Sequence, residues 1–360
     1  MRRTVRGIPA VHGIPAPRRV HRSRAALGTL TAAGTLLALL LPAGSAAATG
    51  QHSPSHRSPA PRTAADAFWT ADRMRSAVPL DLTAPAKHTP ATAVPRGAPL
   101  TVAPTLPRLP RLPRLPQASE AGKAPAAGPL LPGTLPQAGG PWTGGGAVTK
   151  TTGRVFFTYQ GRTAACSGDA VTSGNKSTVL TAGHCVKLGG VWHTDWIFVP
   201  GYHDGEAPYG KWAAAKTLST PQWTASEDIN YDVGAAVVAP LDGKKLTDVV
   251  GGQGLSFNSG YSKAMYAFGF PAAAPYDGSK LIYCSGTTFK DPLFSGDHGL
   301  ACNMTGGSSG GPWFTTFDEK TGTGLQSSVN SFGYQFWANT MFGPYFGDDA
   351  KNLYTTAQSS

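Results

Sequence analysis

Asn303-Met304-Thr305-Gly306-Gly307-Ser308-Ser309-Gly310-Gly311-Pro312-Trp313 sets two serines between two pairs of glycines and closes the run with a proline. Flanking glycines let a backbone take φ values closed to other residues and leave its N–H groups uncovered. Uncovered N–H groups beside a hydroxyl are what acyl transfer requires, because the oxyanion that develops during attack has to be held. The same string also reads as an ordinary glycine-rich turn. Residues upstream decide between the two.

A serine hydroxyl at its free pKa is a poor nucleophile; it needs a base to take its proton and an acid to orient the base. Leu180-Thr181-Ala182-Gly183-His184-Cys185 supplies a histidine at the end of a strand-like run. Asp232 stands directly before the apolar run Val233-Gly234-Ala235-Ala236-Val237-Val238, where burial would desolvate it and aim it at an imidazole; Asp228 is the competing acid. Chain order then separates the serine-hydrolase designs. Gly307-Ser308-Ser309-Gly310-Gly311 matches the G-x-S-x-G elbow of α/β-hydrolases, but that design places its histidine after the serine. The last histidine here is His298, so that design fails. An Asp, His, Ser order could use Asp169, yet it belongs to an α/β fold whose helices this chain does not offer. His, Asp, Ser remains, the order found on double β-barrels.

From about Ala147 onward the chain reads as all-β. Runs rich in β-branched and aromatic residues fall at 154–159, 164–167, 178–181, 196–199, 231–238, 264–268, 281–285, 311–316, 327–331 and 334–338. Gly, Pro, Asn and Asp clusters separate them at intervals typical of sandwiches and barrels. Residues 348–356 read as a short closing helix.

The net charge of +11 points to a nucleic-acid or anionic-surface binder until it is divided by region. Residues 1–140 hold 17 Lys+Arg against 4 Asp+Glu, a net of +13; residues 141–360 hold 14 against 16, a net of −2. Nucleic-acid binding by the β-rich part is therefore not expected, since such binding needs clustered Lys and Arg. Residues 1–48 read as a signal peptide: arginines up to Arg24, an uncharged run from Ala25 to Leu41, and Ala46-Ala47-Ala48 before a cleavage point. The run is short and small-residue-rich for a stable membrane span. The expected location is secreted, extracellular.

Residues 49–146 read as a Pro/Ala-rich propeptide or linker, mostly disordered. Their three-residue Pro-Arg-Leu repeat over 107–116 favours extended polyproline II. Residues 63–74, with Phe68 and Trp69, are a candidate helix suited to masking an active site. Cys166, Cys185, Cys284 and Cys302 all lie in the domain 147–360. An even number in an exported chain implies two disulfides, with three pairings open. Nearest-neighbour pairing would staple two loops; no Cys-x-x-Cys pair offers a zinc site, and no metal or cofactor is expected.

Together, the residues around His184, Asn230-Tyr231-Asp232-Val233-Gly234, and Gly306 to Pro312 resemble those of trypsin-like (chymotrypsin-fold) serine peptidases. Within that superfamily the chain resembles secreted bacterial trypsin-like and glutamyl-endopeptidase-like members. The resemblance implies two six-stranded antiparallel β-barrels, His184 as general base, Asp232 as its orienter and Ser309 rather than Ser308 as nucleophile. It further implies an oxyanion hole from the N–H groups of Gly307 and Ser309, and a histidine-loop disulfide between Cys166 and Cys185. Asn303, Asn330, Ser331 and Gly333 are implied as substrate-cleft residues, with Ser331 contacting the acid.

Digestive-type members carry an aspartate before the nucleophile, which pairs with a newly freed N-terminus. Ser308 has no charge for this, so an ion-pair switch is not expected. No aspartate stands at the pocket floor near Asn303 and Met304 to select Arg or Lys, and Asn330 replaces the histidine of Glu-specific relatives. Small or medium uncharged side chains are the expected preference. The resulting expectation is a secreted, monomeric serine endopeptidase acting on polypeptides through an acyl-enzyme. The alternatives are a non-catalytic binding or surface protein on the same barrels, or an esterase using the same three residues.

Overall fold

Six strands of the first half pair edge to edge until the ring shuts. They are β1 (Thr152–Tyr159), β2 (Arg162–Ala170), β3 (Thr178–Thr181), β4 (Thr194–Pro200), β5 (Trp212–Ser219) and β6 (Gly234–Val238). The order β1-β2-β3-β6-β5-β4 returns to β1, and every pairing is antiparallel. The computed structural model describes residues 53–58, 62–83, 94–107 and 137–360 of the chain. All of them belong to one unit, Gly50–Ser360.

Alternation explains why β1 reads as an unbroken apolar run. Val155 and Phe157 point into the barrel core, while Phe156 points outward and is covered from outside. Strand β5 went unread in the sequence because Trp-Ala-Ala-Ala-Lys-Thr-Leu-Ser is alanine-rich and favours helix locally. Burial on the barrel overrides that preference.

The second half contains β7 (Gly254–Phe257), β8 (Ala264–Gly269), β9 (Ile282–Thr287), β10 (His298–Ala301), β11 (Pro312–Asp318), β12 (Thr323–Val329), β13 (Phe332–Gly333) and β14 (Thr340–Gly343). Its ladders form two runs, β7-β12-β11-β8-β9 and β10-β14-β13, which do not join into a closed ring, and the β7–β12 pairing is parallel. The Cys284–Cys302 disulfide ties β9 to the end of β10 where the ladder is interrupted. Trp313, Met265, Leu300 and Met341 fill the space between the two runs.

Two expected strands are differently built. Residues 334–338 form a turn, with Trp337 N donating to Tyr334 O and Asn339 at φ +57. Tyr334 and Trp337 pack into a cluster with Phe332 and Phe342 rather than along a ladder, while Phe336 stays exposed. Residues 229–231 form a 3-10 turn capped by Asp228, so the strand expected from 231 begins at Gly234. The closing helix runs over Asp348–Gln358 and lays Ala350, Leu353, Tyr354 and Ala357 on the first-barrel core. That spacing is one helical face.

Parts of the Pro/Ala-rich region dock on the domain. Helices α1 (Arg62–Phe68) and α2 (Ala71–Ser76) replace the single helix expected over 63–74, because Thr70 caps the second. Trp69, fully buried between them, packs on Phe156 and donates from Nε1 to Asp195 O at 2.6 Å. Ser55–Arg57 extends β5, Leu100–Val102 extends β7 and Gln137–Pro141 extends β9. Each covers strand-edge N–H and C=O groups that would otherwise lie open. The proposed signal peptide and most of the Pro-Arg-Leu repeat lie outside the described residues. Among the described residues no helix is long and apolar enough to cross a membrane.

Candidate active site

His184 sits on a 3-10 turn, Gly183–Cys185, directly after β3. Three restraints fix that turn. Cys185 is bonded to Cys166 of β2, Trp196 Nε1 donates to Cys185 O at 3.0 Å, and His193 Nε2 hydrogen-bonds His184 O at 2.8 Å. Burial pushes the His193 imidazole down to about 4, so it stays neutral and donates through Nε2. His193 does not stand out in the sequence. Its signal was the Gly189-Gly190 turn, which folds Val191–Trp192 back on Lys187–Leu188 and brings His193 under His184.

Asp232 reaches the same turn from the mouth of β6. Its Oδ1 accepts from His184 N at 2.8 Å, and its Oδ2 lies 2.7 Å from His184 Nδ1. Ser331 Oγ donates to Oδ2 at 2.5 Å. Both side chains of the pair are fully buried. A carboxylate at Nδ1 holds the proton on that nitrogen and leaves Nε2 free to accept. Gly183 is required for this approach: a Cβ there would stand 2.9 Å from Asp232 Oδ1 and 2.7 Å from Trp223 Cγ. Asp228, the competing acid, instead caps the 229–231 turn through Asn230 N. A further buried carboxyl, Asp297, has its pKa pushed well up by burial and by Asp291, which favours its neutral form near Asp232.

Ser309 lies in the loop between β10 and β11, with its carbonyl accepting from Ser167 N at 2.7 Å. That carbonyl is 3.7 Å from Cys185 Sγ, one residue from His184, which places the Ser309 backbone beside the His184 turn. Gly307 takes φ +93 and aims its N–H out of the loop, where the carbonyl of Leu80 accepts it at 3.0 Å. Ser309 Oγ is 3.5 Å from the same oxygen. His184 Nε2 has no hydrogen-bond partner among the described residues. Ser308 turns its hydroxyl back to Thr305 O at 2.8 Å.

A metal is poorly served here. Cys166, His184 and Cys185 cluster, but both sulfurs are spent in a disulfide and His184 Nδ1 faces Asp232.

No known protein-family model matches the sequence. Solved structures do. The protease Anisep from Arthrobacter nicotinovorans is 47% identical, with 59% of this chain covering 96% of that one at a TM-score of 0.56. The chain belongs to the bacterial serine proteases of chymotrypsin fold. A thermostable serine protease, AL20, from an extremophilic microorganism is 40% identical over 59% of this chain and 99% of that one, TM-score 0.57. A Glu endopeptidase at 14% identity, covering 62% of this chain and 97% of that one at TM-score 0.50, shares the fold. An extracellular metalloprotease of Bacillus subtilis (strain 168) is 39% identical over 71 residues only, 19% of this chain and 22% of that protein, so this chain matches about a fifth of its length.

Beside Ser309 the protease has a cavity of about 220 Å³, whose walls include Met304, Thr305, Ser331, Gly333, Tyr334 and Met341. Two expected cleft residues are placed elsewhere. Asn330 is fully buried, donating to Ser308 O and Phe268 O and accepting from Trp313 Nε1. It braces the loop carrying Ser308 and Ser309 from beneath, since neighbouring residues of an extended chain face opposite ways and Ser331 takes the cleft side. Asn303 does not line the cavity either: Tyr276 Oη donates to its Oδ1 at 2.6 Å and its N–H goes to Ala138 O.

Proposed function

We propose that this protease is a secreted serine endopeptidase working through an acyl-enzyme, with Ser309 as nucleophile, His184 as general base and Asp232 as the orienting acid. One observation carries the reading: a peptide carbonyl, that of Leu80, rests on the Gly307 N–H beside Ser309 Oγ. That is the position an oxyanion has to occupy.

In the proposed reaction His184 Nε2 takes the Ser309 proton as Oγ adds to the carbonyl carbon of a bound peptide. The Gly307 and Ser309 N–H groups hold the oxygen, and Asp232 stays ionised against the imidazolium. The C–N bond then breaks while Nε2–H protonates the leaving amine. Water, deprotonated by the same nitrogen, adds to the acyl carbon and releases the acid, restoring Ser309.

Apart from Asp81 of the docked segment, the cavity walls are uncharged, which supports a preference for small or medium uncharged side chains. Two disulfides suit an oxidising, extracellular setting. With that goes the proposal that residues 1–48 are a signal peptide and 49–146 a propeptide preceding the protease domain. Digestion of a peptide library by the secreted protein is the test. Cleavage after uncharged residues that disappears with Ser309→Ala fits the proposal; cleavage that survives Ser309→Ala contradicts it.

A further inference from the structure

The chain threads its own cleft. Val78–Pro79 pairs in parallel with β2, in the register Val78 with Ala164 and Pro79 with Ala165. Leu82–Thr83 pairs in parallel with β13, Leu82 with Phe332 and Thr83 with Gly333. Between the two ladders Leu80 N donates to Ala165 O at 2.9 Å, and Leu80 O accepts from Gly307 N at 3.0 Å. Asp81 follows against Gly306, where an added Cβ would lie 3.0 Å from Asp81 Cβ. Leu82 packs beside the aromatic cluster of Phe332, Tyr334 and Phe342.

The direction of this segment is opposed to turnover. In a productive complex the residue after the attacked carbonyl leaves as an amine and takes its proton from the histidine. The C-terminal half of a substrate therefore lies on the histidine's side of the nucleophile. Here the N-terminal half, Val78–Pro79, lies there: it runs along Ala164–Ala165, adjacent to Cys166, whose disulfide partner Cys185 follows His184. The half that would leave, from Asp81 onward, lies on Gly306 and β13 instead. Consistent with an unengaged relay, His184 Nε2 has no partner among the described residues.

Resting on the serine-protease reading of the site, we propose that residues 78–83 are a built-in inhibitor bound in reverse polarity, which fills the oxyanion position without presenting a cleavable bond. Main-chain ladders bind an extended peptide in either direction, so reversal keeps affinity while removing the leaving-group geometry. The docked helices supply the tether: Trp69 is buried and Arg75 Nη1 donates to Asp204 O at 3.0 Å, only a few residues before the cleft. A tethered segment acts at high effective concentration and needs few contacts of its own.

The test is the rate at which a small fluorophosphonate labels Ser309 in the purified full chain, read by mass spectrometry. Two variants, Leu82→Glu and Leu80→Pro, remove the apolar dock and the ladder donor without touching the triad. The labelling rate scales with the fraction of open clefts, so both are expected to label at least about tenfold faster than the unaltered chain. The Leu80–Asp81 bond is expected to stay intact in the unaltered chain on long incubation. Equal labelling rates in all three chains overturn the inhibitor while leaving the protease reading standing. Ser309-dependent cutting at Leu80–Asp81 overturns the reversed polarity. Absence of label on Ser309 in every chain contradicts the protease reading itself, and the inhibitor with it.

Discussion

Asp232 accepts from His184 N, His184 Nδ1 and Ser331 Oγ, and the donors differ in what they do. Asp232→Asn disturbs the tautomer and is expected to lower kcat about 10⁴-fold. Ser331→Ala removes one hydrogen bond to a charged group, about 1.5–3 kcal/mol, and a loss of about ten- to a hundredfold in kcat is expected. Steady-state assays on one peptide check both; equal losses would mean that Ser331 does more than hold the acid. His193 gives a pH prediction. Burial lowers its folded pKa to about 4 from 6.5, so between those values the unfolded chain binds the extra proton. Stability therefore rises with pH across that window and is lost as pH falls from 6.5 towards 4. Asp169 and Asp297, pushed up by burial, work the other way, so the comparison is with His193→Gln, in which the His193 part of the slope is expected to vanish. Denaturant midpoints between pH 4 and 6.5 measure it; identical slopes would contradict the buried, neutral imidazole. His184 and Ser309 could be singled out as candidates in the sequence because their neighbours are specific. Asn330 was misplaced because a motif gives position along a strand but not which of two adjacent residues faces the cleft.

Elements were legible where local preference and burial agree. Strand β1 was found almost to its ends, whereas β5 hid behind three alanines and β7 and β10 behind glycine and four-residue lengths. The aromatic run at 334–338 misled in the opposite sense, since its rings serve packing around a turn. The N-terminal helices could not be read as docked, because the surface that receives Trp69 is assembled from β1 and β4 only after folding. Removing that side chain tests the docking. Trp69→Ala is expected to weaken it by about 3–5 kcal/mol. Hydrogen exchange is then expected to speed up across residues 62–83 while β1 to β6 stay protected; unchanged exchange would mean that Trp69 does not anchor the segment.

Across the whole molecule, the division in composition near residue 140 is also a division in architecture. The net −2 part supplies the closed first barrel and the two strand runs of the second half, and described segments of the basic, proline-rich part lie against its edges and cleft. The disulfides hold different joints: one fixes the His184 turn to β2, the other bridges the interrupted ladder of the second half. Replacing Cys284 and Cys302 by serine opens a loop with a sequence separation of 18 residues. By loop-closure entropy this is expected to lower stability by about 3 kcal/mol, as read from urea unfolding; no change would show that the two sheets are held by packing alone. In the proposed chemistry Ser309, activated by His184, forms the acyl-enzyme. Its most direct test is mass spectrometry of the purified protease quenched during hydrolysis of an activated ester. An acyl adduct on Ser309 is expected to accumulate in the native protein and to be absent from Ser309→Ala and His184→Ala, whereas an adduct on another residue, or one that forms equally well without His184, would contradict the acyl-enzyme route.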